Sequence, residues 1–178
     1  KGRCHSFFRC FIPAVMDRAP TPMNLSSEEP SNPMSALATA IVERAEAQRI
    51  GSWRDVARGE AIFDQGTPLD RAFVLRSGLI KLVYATASGE EWIKSLIVDS
   101  GLFGPSGQDP SESVAFSALA IERSALIALP INWLAREIAE SPTLAAAHAR
   151  FIDWIRLRKE AREQALLCRS AEERYRDL

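Results

Sequence analysis

The first regular pattern in the chain predicts an amphipathic helix from Met34 to Gln48. Leu37, Ile41 and Ala45 recur at intervals of four residues, and charged residues fall off that stripe. Apolar residues at this spacing share one face of an α-helix. We therefore expect this helix to pack its apolar face on the domain that follows.

Between Trp53 and Pro130 the pattern changes to short apolar or alternating runs separated by glycines. The strand candidates are Glu60–Phe63, Ala72–Leu75, Leu79–Tyr84, Glu91–Val98 and Val114–Leu129. Turn signals about 7 to 12 residues apart, with no helix between them, favour an antiparallel roll or barrel over βαβ units. The segments 76–78 and 87–89, each ending in Ser-Gly, are predicted to be tight hairpin connections.

After Pro130 the pattern is helical again. One helix is predicted from Ile131 to Glu140, and Ser141 with Pro142 can begin a long second helix that runs to about Cys168. The fold class is therefore α+β: an antiparallel β-roll, or jelly roll, with an N-terminal helix and a long C-terminal helix.

The long helix carries apolar residues over a wide arc, which indicates burial on two sides. The roll can cover one side, and a second copy of the chain is the simplest cover for the other. A homodimer through residues 144–167 is therefore predicted, and the alternative is that both sides pack within one chain. The predicted interface residues are Leu144, Phe151, Trp154 and Ile155.

Composition is that of an ordinary globular protein. The 178 residues include 22 Lys+Arg and 23 Asp+Glu, and 47% are hydrophobic. This balance excludes a disordered chain and offers no basic field for nucleic acid. No apolar run approaches the roughly 20 residues of a membrane-spanning helix. Three cysteines are too few for a disulfide framework and fit a reducing, cytoplasmic setting.

The first 33 residues differ from the rest, because they hold five of the ten prolines and several serines. We interpret residues 1–33 as a flexible tail. The first residue of the chain is Lys1 and not a methionine. Translation can therefore start at any of three later methionines, Met16, Met23 or Met34.

Three glycine-containing segments carry a family resemblance: Arg58–Gly66, Phe73–Gly78 and Gly101–Gly104. In this order and spacing they resemble the cyclic-nucleotide-binding domain of the Crp/Fnr family of bacterial transcription regulators. The likeness covers residues 52–178 and implies that residues 34–140 form the ligand-binding roll and residues 141–168 the dimerisation helix. Residues 169–178 are similar to the opening of the family's helix-turn-helix domain, so a DNA-binding domain, the only expected contact with DNA, would follow Leu178.

The resemblance also locates an expected ligand pocket, in which the usual polar residues are replaced. Pro105 stands where the family has a glutamate for the ribose, and Val114-Ala115 stands where it has an Arg-Ser pair for the cyclic phosphate. Residues 101–121 contain no Lys or Arg, whereas Asp109 and Glu112 would repel a phosphate. We therefore expect no ordinary cyclic AMP site. The pocket residues implied by the resemblance are Phe103, Gly104, Pro105, Ser106, Val114 and Ala115.

Two interpretations of this region stay open: a pocket for another small effector, or a plain surface loop. At the level of the protein, a regulatory sensor domain competes with a free-standing binding or scaffold module without DNA binding. A kinase-type regulatory subunit would need an inhibitor segment, and no Arg-Arg-x-Ser pattern occurs.

The remaining candidates do not favour a cofactor or catalysis. Cys4, Cys10 and Cys168 are one thiolate short of an iron–sulfur cluster, and His148 is best explained as a packed helix residue. No catalytic or zinc-spaced set appears, so no enzyme activity and no metal site are predicted. Basic residues of the long helix are interleaved with acidic ones, which indicates a solvated face with intrahelical pairs.

Overall fold

A computed structural model describes residues 32–105 and 113–168. Helix α1 (Pro33–Ala47) precedes the strands, and helices α2 (Ile131–Glu140) and α3 (Pro142–Cys168) follow them. The strands are β1 (Ser52–Val56), β2 (Ala61–Phe63), β3 (Arg71–Ser77), β4 (Ile80–Ala85), β5 (Glu91–Ile97), β6 (Leu102–Phe103), β7 (Ser117–Ala120) and β8 (Ser124–Pro130). No helix in this part of the chain is long and apolar enough to cross a membrane.

The strands form two antiparallel four-stranded sheets, which confirms the predicted roll. One sheet has the order β1-β8-β3-β6 and the other the order β2-β7-β4-β5. Phe73 and Leu75 of the first sheet and Leu82 of the second belong to one buried cluster between the sheets. Alternate residues of β3, Ala72 and Val74, belong to a second cluster shared with the helices. Because both faces of β3 are buried, its apolar residues follow one another and do not alternate with polar ones.

The connection after β3 differs from the prediction. Arg76–Gly78 was expected to be a hairpin, but β3 and β4 lie in different sheets, so the segment is a corner between the sheets. A short polar segment that ends in glycine does not reveal which sheet the next strand joins. The second predicted hairpin is confirmed: β4 pairs with β5, and Thr86 N donates to Glu90 O at 2.9 Å across the turn.

Two strands were absent from the prediction, and one candidate was too long. Strand β1 is exposed at four of its five positions, and β6 has only two residues, so neither has a recognisable apolar pattern. The candidate Val114–Leu129 comprises both β7 and β8, separated by a turn at residues 121–123.

Helix α1 packs on the outer face of the first sheet, as its stripe of Leu37, Ile41 and Ala45 predicts. The Asn32 side chain accepts a hydrogen bond from Met34 N at 3.1 Å, and Pro33 occupies the first turn. A polar network then ties α1 to α2. Buried Glu137 accepts hydrogen bonds from Arg44 Nε at 3.2 Å and from Gln48 Nε2 at 2.9 Å.

Helix α3 begins where Ser141 and Pro142 predict, and its first half packs within the chain. Leu144, Ala147 and Phe151 are buried in the cluster shared with α1 and α2, and Trp154 and Ile155 pack against that cluster. All four predicted interface residues therefore contact the chain's own core, and Trp154 and Ile155 stay half-buried there. The large apolar side chains that α3 leaves exposed are others, including Ile152 and Leu157.

Candidate functional site

The expected pocket begins at the loop that follows β6. Phe103 is buried and pairs with Phe73 of β3, and Gly104 is held close to the same strand. At Gly104 φ is +153°, and a Cβ atom there would lie 3.1 Å from the Cα of Ala72. Pro105 is half-buried. Ser106, Asp109 and Glu112 lie outside the described residues.

The other two residues of the expected pocket, Val114 and Ala115, lie just before β7. Val114 N donates to Thr67 O at 2.9 Å, and Gly66 N donates to Val114 O at 2.8 Å, so the backbone is fixed against the β2–β3 connection. The Val114 side chain is buried in the core between the sheets, whereas Ala115 is exposed. The position that carries the phosphate-binding arginine in the resembled family therefore presents only methyl groups to the interior of the roll.

Four aromatic rings fill that interior. The Phe63 centroid lies 5.7 Å from those of Phe73 and Phe116 and 6.3 Å from that of Phe103. Phe73 and Phe103 stack at 5.4 Å. Rings at these separations are in ordinary aromatic contact. The space beside Val114 is thus an apolar core.

The two cations that could have replaced the missing arginine are engaged elsewhere. Lys81 Nζ lies 2.7 Å from Glu91 Oε2 on the neighbouring strand. Arg123 Nη2 lies 3.2 Å from Asp55 Oδ2, with the Arg123 side chain 82% exposed. Neither side chain therefore supplies a positive charge to the interior of the roll.

A different group of cations lies where α3 crosses the edge strand β5. Arg162 Nη1 donates a hydrogen bond to the backbone oxygen of Lys94 at 3.0 Å, and Lys94 Nζ lies 4.4 Å from the centroid of Phe116. Desolvation lowers the pKa of Lys94, and the positive charges of Lys159 and Arg162 lower that pKa further. The ring of Tyr84 meets Phe116 edge-on at 6.5 Å. Three cations and two aromatic rings therefore converge here.

This cluster changes the interpretation of the basic residues on α3. Arg156 does form the expected pairs, with Glu160 at 2.8 Å and Asp153 at 3.7 Å. Arg162 instead bonds to a strand 68 residues away in sequence. Sequence reasoning missed Lys94 altogether, because a single lysine in a strand has no local signal for its distant neighbours.

A shallow groove outside the roll is a second concave feature. It has a volume of about 250 Å³ and lies between α1 and the first sheet, beside Val42, Glu43 and Trp53. Arg76 covers the Trp53 ring at 5.2 Å. The groove does not coincide with the loop that the family resemblance indicates.

The other candidates from the sequence form no site in the described parts of the chain. His148 is half-buried on α3, and Cys168 is exposed with a free thiol. Within residues 32–105 and 113–168, no group of three or more His, Cys, Asp and Glu side chains could hold a metal ion. Cys4, Cys10 and the segment 169–178 lie outside the described residues.

Comparisons with known proteins agree with the fold. The profile of the cyclic nucleotide-binding domain matches residues 53–141. The transcriptional activator protein Anr of Pseudomonas aeruginosa is 35% identical over 91 residues, which make up 51% of this chain and 37% of that relative. The match thus spans little more than a third of the relative's length.

Two solved structures extend the similarity to the arrangement in space. The catabolite activator protein of Thermus thermophilus has a TM-score of 0.61 at 27% identity, covering 76% of this chain and 63% of that one. The N-terminal domain of a transcriptional regulator from Streptomyces coelicolor A3(2) has a TM-score of 0.54 at 28% identity, covering 73% and 91%. The similarity to the Streptomyces coelicolor domain thus spans nearly all of that chain.

Proposed function

Because the chain belongs to the cyclic nucleotide-binding domain family, and within it to the Crp/Fnr type, we propose that residues 34–168 are the effector-sensing part of a transcription regulator. The observation that carries this proposal is that α3 is attached to the rest of the domain at two places. Phe151 packs in the cluster with α1, and Arg162 bonds to β5. A ligand that moves the roll would therefore also move the long helix.

The regulatory role is tested with the natural gene product, tagged and expressed in its own host. Chromatin immunoprecipitation is expected to enrich discrete promoter segments. A free-standing scaffold module would enrich none, and that outcome would replace the regulator proposal with the scaffold alternative.

The domain is further proposed to have lost the ordinary cyclic nucleotide site. Val114 is buried in the apolar core, and the four phenylalanine rings occupy the space beside it. A cyclic phosphate at Val114 would forgo the charge-assisted hydrogen bond that the family's arginine supplies, worth about 1.5–3 kcal/mol.

Cyclic AMP and cyclic GMP are therefore expected to leave the melting temperature unchanged at millimolar concentration. A ligand with micromolar Kd would at that concentration stabilise the folded state by about 4 kcal/mol, which a melting curve would show plainly. Isothermal titration calorimetry provides the direct measurement, with 5′-AMP as the matched control. Micromolar binding of either cyclic nucleotide would contradict the prediction.

Dimerisation through α3 is the third part of the proposal. The interface is placed on the side of α3 that the chain itself leaves uncovered, where Ile152 is 48% and Leu157 56% exposed. We expect Leu157→Glu to convert the dimer to a monomer at micromolar concentration, because pairing would bury two like charges near the twofold axis. Light scattering measures the mass, and Asn132→Glu, which adds the same charge at an exposed position of α2, is the control. A monomeric unaltered protein would contradict the dimer.

A further inference from the structure

Among the described residues, three cations meet at the junction of α3 with β5 without an acidic partner. Lys94 is half-buried, its ammonium lies against Phe116, and Lys159 and Arg162 approach it from the helix. Withdrawing an ammonium from water is costly unless an opposite charge or hydrogen-bond acceptors replace the water. Here the neighbouring charges have the same sign.

No acidic side chain of residues 32–105 or 113–168 forms an ion pair with these three cations. Two neighbouring cations differ in this respect: Lys81 pairs with Glu91 across β4 and β5, and Arg156 pairs with Glu160 along α3.

We propose that this junction binds a small anion with two or more negative charges, of the carboxylate or phosphate class. The proposal rests on the proposed sensor function, since it makes this anion the effector. Within residues 32–105 and 113–168, one of the five N–H donors of Arg162 forms a hydrogen bond, to Lys94 O, so others can hold a carboxylate or phosphate oxygen. Lys94 and Lys159 supply the remaining charge.

The site joins the roll to the long helix, so binding there would be transmitted to α3. Its ligands come from the edge strand of the second sheet and from the long helix, so an anion bound between them would draw α3 against β5. It differs from the expected cyclic phosphate position, which lies at Val114 and Ala115. The Lys94 ammonium lies against the ring of Phe116, which is buried in the core between the sheets, so the site lies at the edge of that core.

The test uses the full chain with inorganic phosphate and with citrate as probes, and potassium chloride keeps the ionic strength constant. We expect at least one probe to raise the melting temperature in a saturable manner. Saturation by citrate alone assigns the carboxylate class, and saturation by phosphate alone assigns the phosphate class. No saturable effect of either probe would overturn the proposal.

Charge-removing variants locate the site. Lys94→Gln and Arg162→Gln are each expected to weaken binding of the active probe about tenfold or more, as loss of one charge-assisted contact implies. Lys159→Gln keeps the test valid if those two variants fail to fold, because Lys159 is exposed. Arg156→Gln on α3 and Lys81→Gln on β4 are controls that should bind normally.

Equal weakening in the controls would overturn the assignment, because it would indicate general attraction to positive charge. This outcome is distinguishable from failure of the sensor proposal. Chromatin immunoprecipitation of the natural gene product does not depend on Lys94, Lys159 or Arg162, and it decides the regulatory role separately.

Discussion

Replacing Phe63 with alanine is expected to lower the free energy of unfolding by about 3–5 kcal/mol, which is a large part of a typical domain's total of roughly 5–15 kcal/mol. Phe63 is 6% exposed, and its ring contacts the rings of Phe73, Phe103 and Phe116. Truncation removes these contacts and leaves a cavity between two sheets. Strands on both sides of the cavity are held by ladder hydrogen bonds, so we expect little collapse.

The matched control is Trp92→Ala on β5. Trp92 is 64% exposed, so loss of a still larger aromatic side chain there should cost well under 1 kcal/mol by the usual behaviour of surface substitutions. Urea denaturation followed by circular dichroism measures both variants. Similar costs for Phe63→Ala and Trp92→Ala would show that the ring cluster is not the centre of the core.

The second large effect is expected for Gly78→Ala, with a loss of about 2–5 kcal/mol from backbone strain and overpacking together. Gly78 lies at the corner between the sheets with φ +109°, where L-residues are strained. A Cβ atom at this position would lie 2.8 Å from the Cα of Ser124, which is backbone and cannot rotate away. Asp99 Oδ1 also accepts a hydrogen bond from Gly78 N at 3.0 Å. The backbone of Gly78 therefore has little freedom to move away from Ser124.

Gly89→Ala is the control that separates backbone strain from overpacking. Gly89 has φ +85°, but no atom lies within 4 Å of the Cβ that alanine would add. This variant should therefore show only the backbone cost, about 1–2 kcal/mol. Thermal unfolding of the two proteins under identical conditions gives the comparison. If Gly78→Ala is no less stable than Gly89→Ala, the close approach of Gly78 to Ser124 is wrong.

The elements with strong periodicity could be predicted from the sequence alone. The stripe of Leu37, Ile41 and Ala45 predicted α1, and Ser141 with Pro142 predicted the start of α3. These signals are local, because an amphipathic face and a helix cap are determined by residues within one or two turns. The glycine spacing and the resemblance to the Crp/Fnr family were likewise enough to predict the β-roll. The proposal that Val114 stands in place of the family's phosphate-binding arginine also comes from the sequence.

The tertiary structure decided which residues meet across long sequence distances. It assigned β3 and β4 to different sheets, which turned an expected hairpin into a corner at Gly78. It also packed Leu144 and Phe151 in the cluster that includes α1. An apolar arc on a helix does not by itself specify which elements cover it. Lastly, it brought Arg162 to the backbone of Lys94. Like charges on a strand and a distant helix have no local period, so only the folded chain could place the cation cluster.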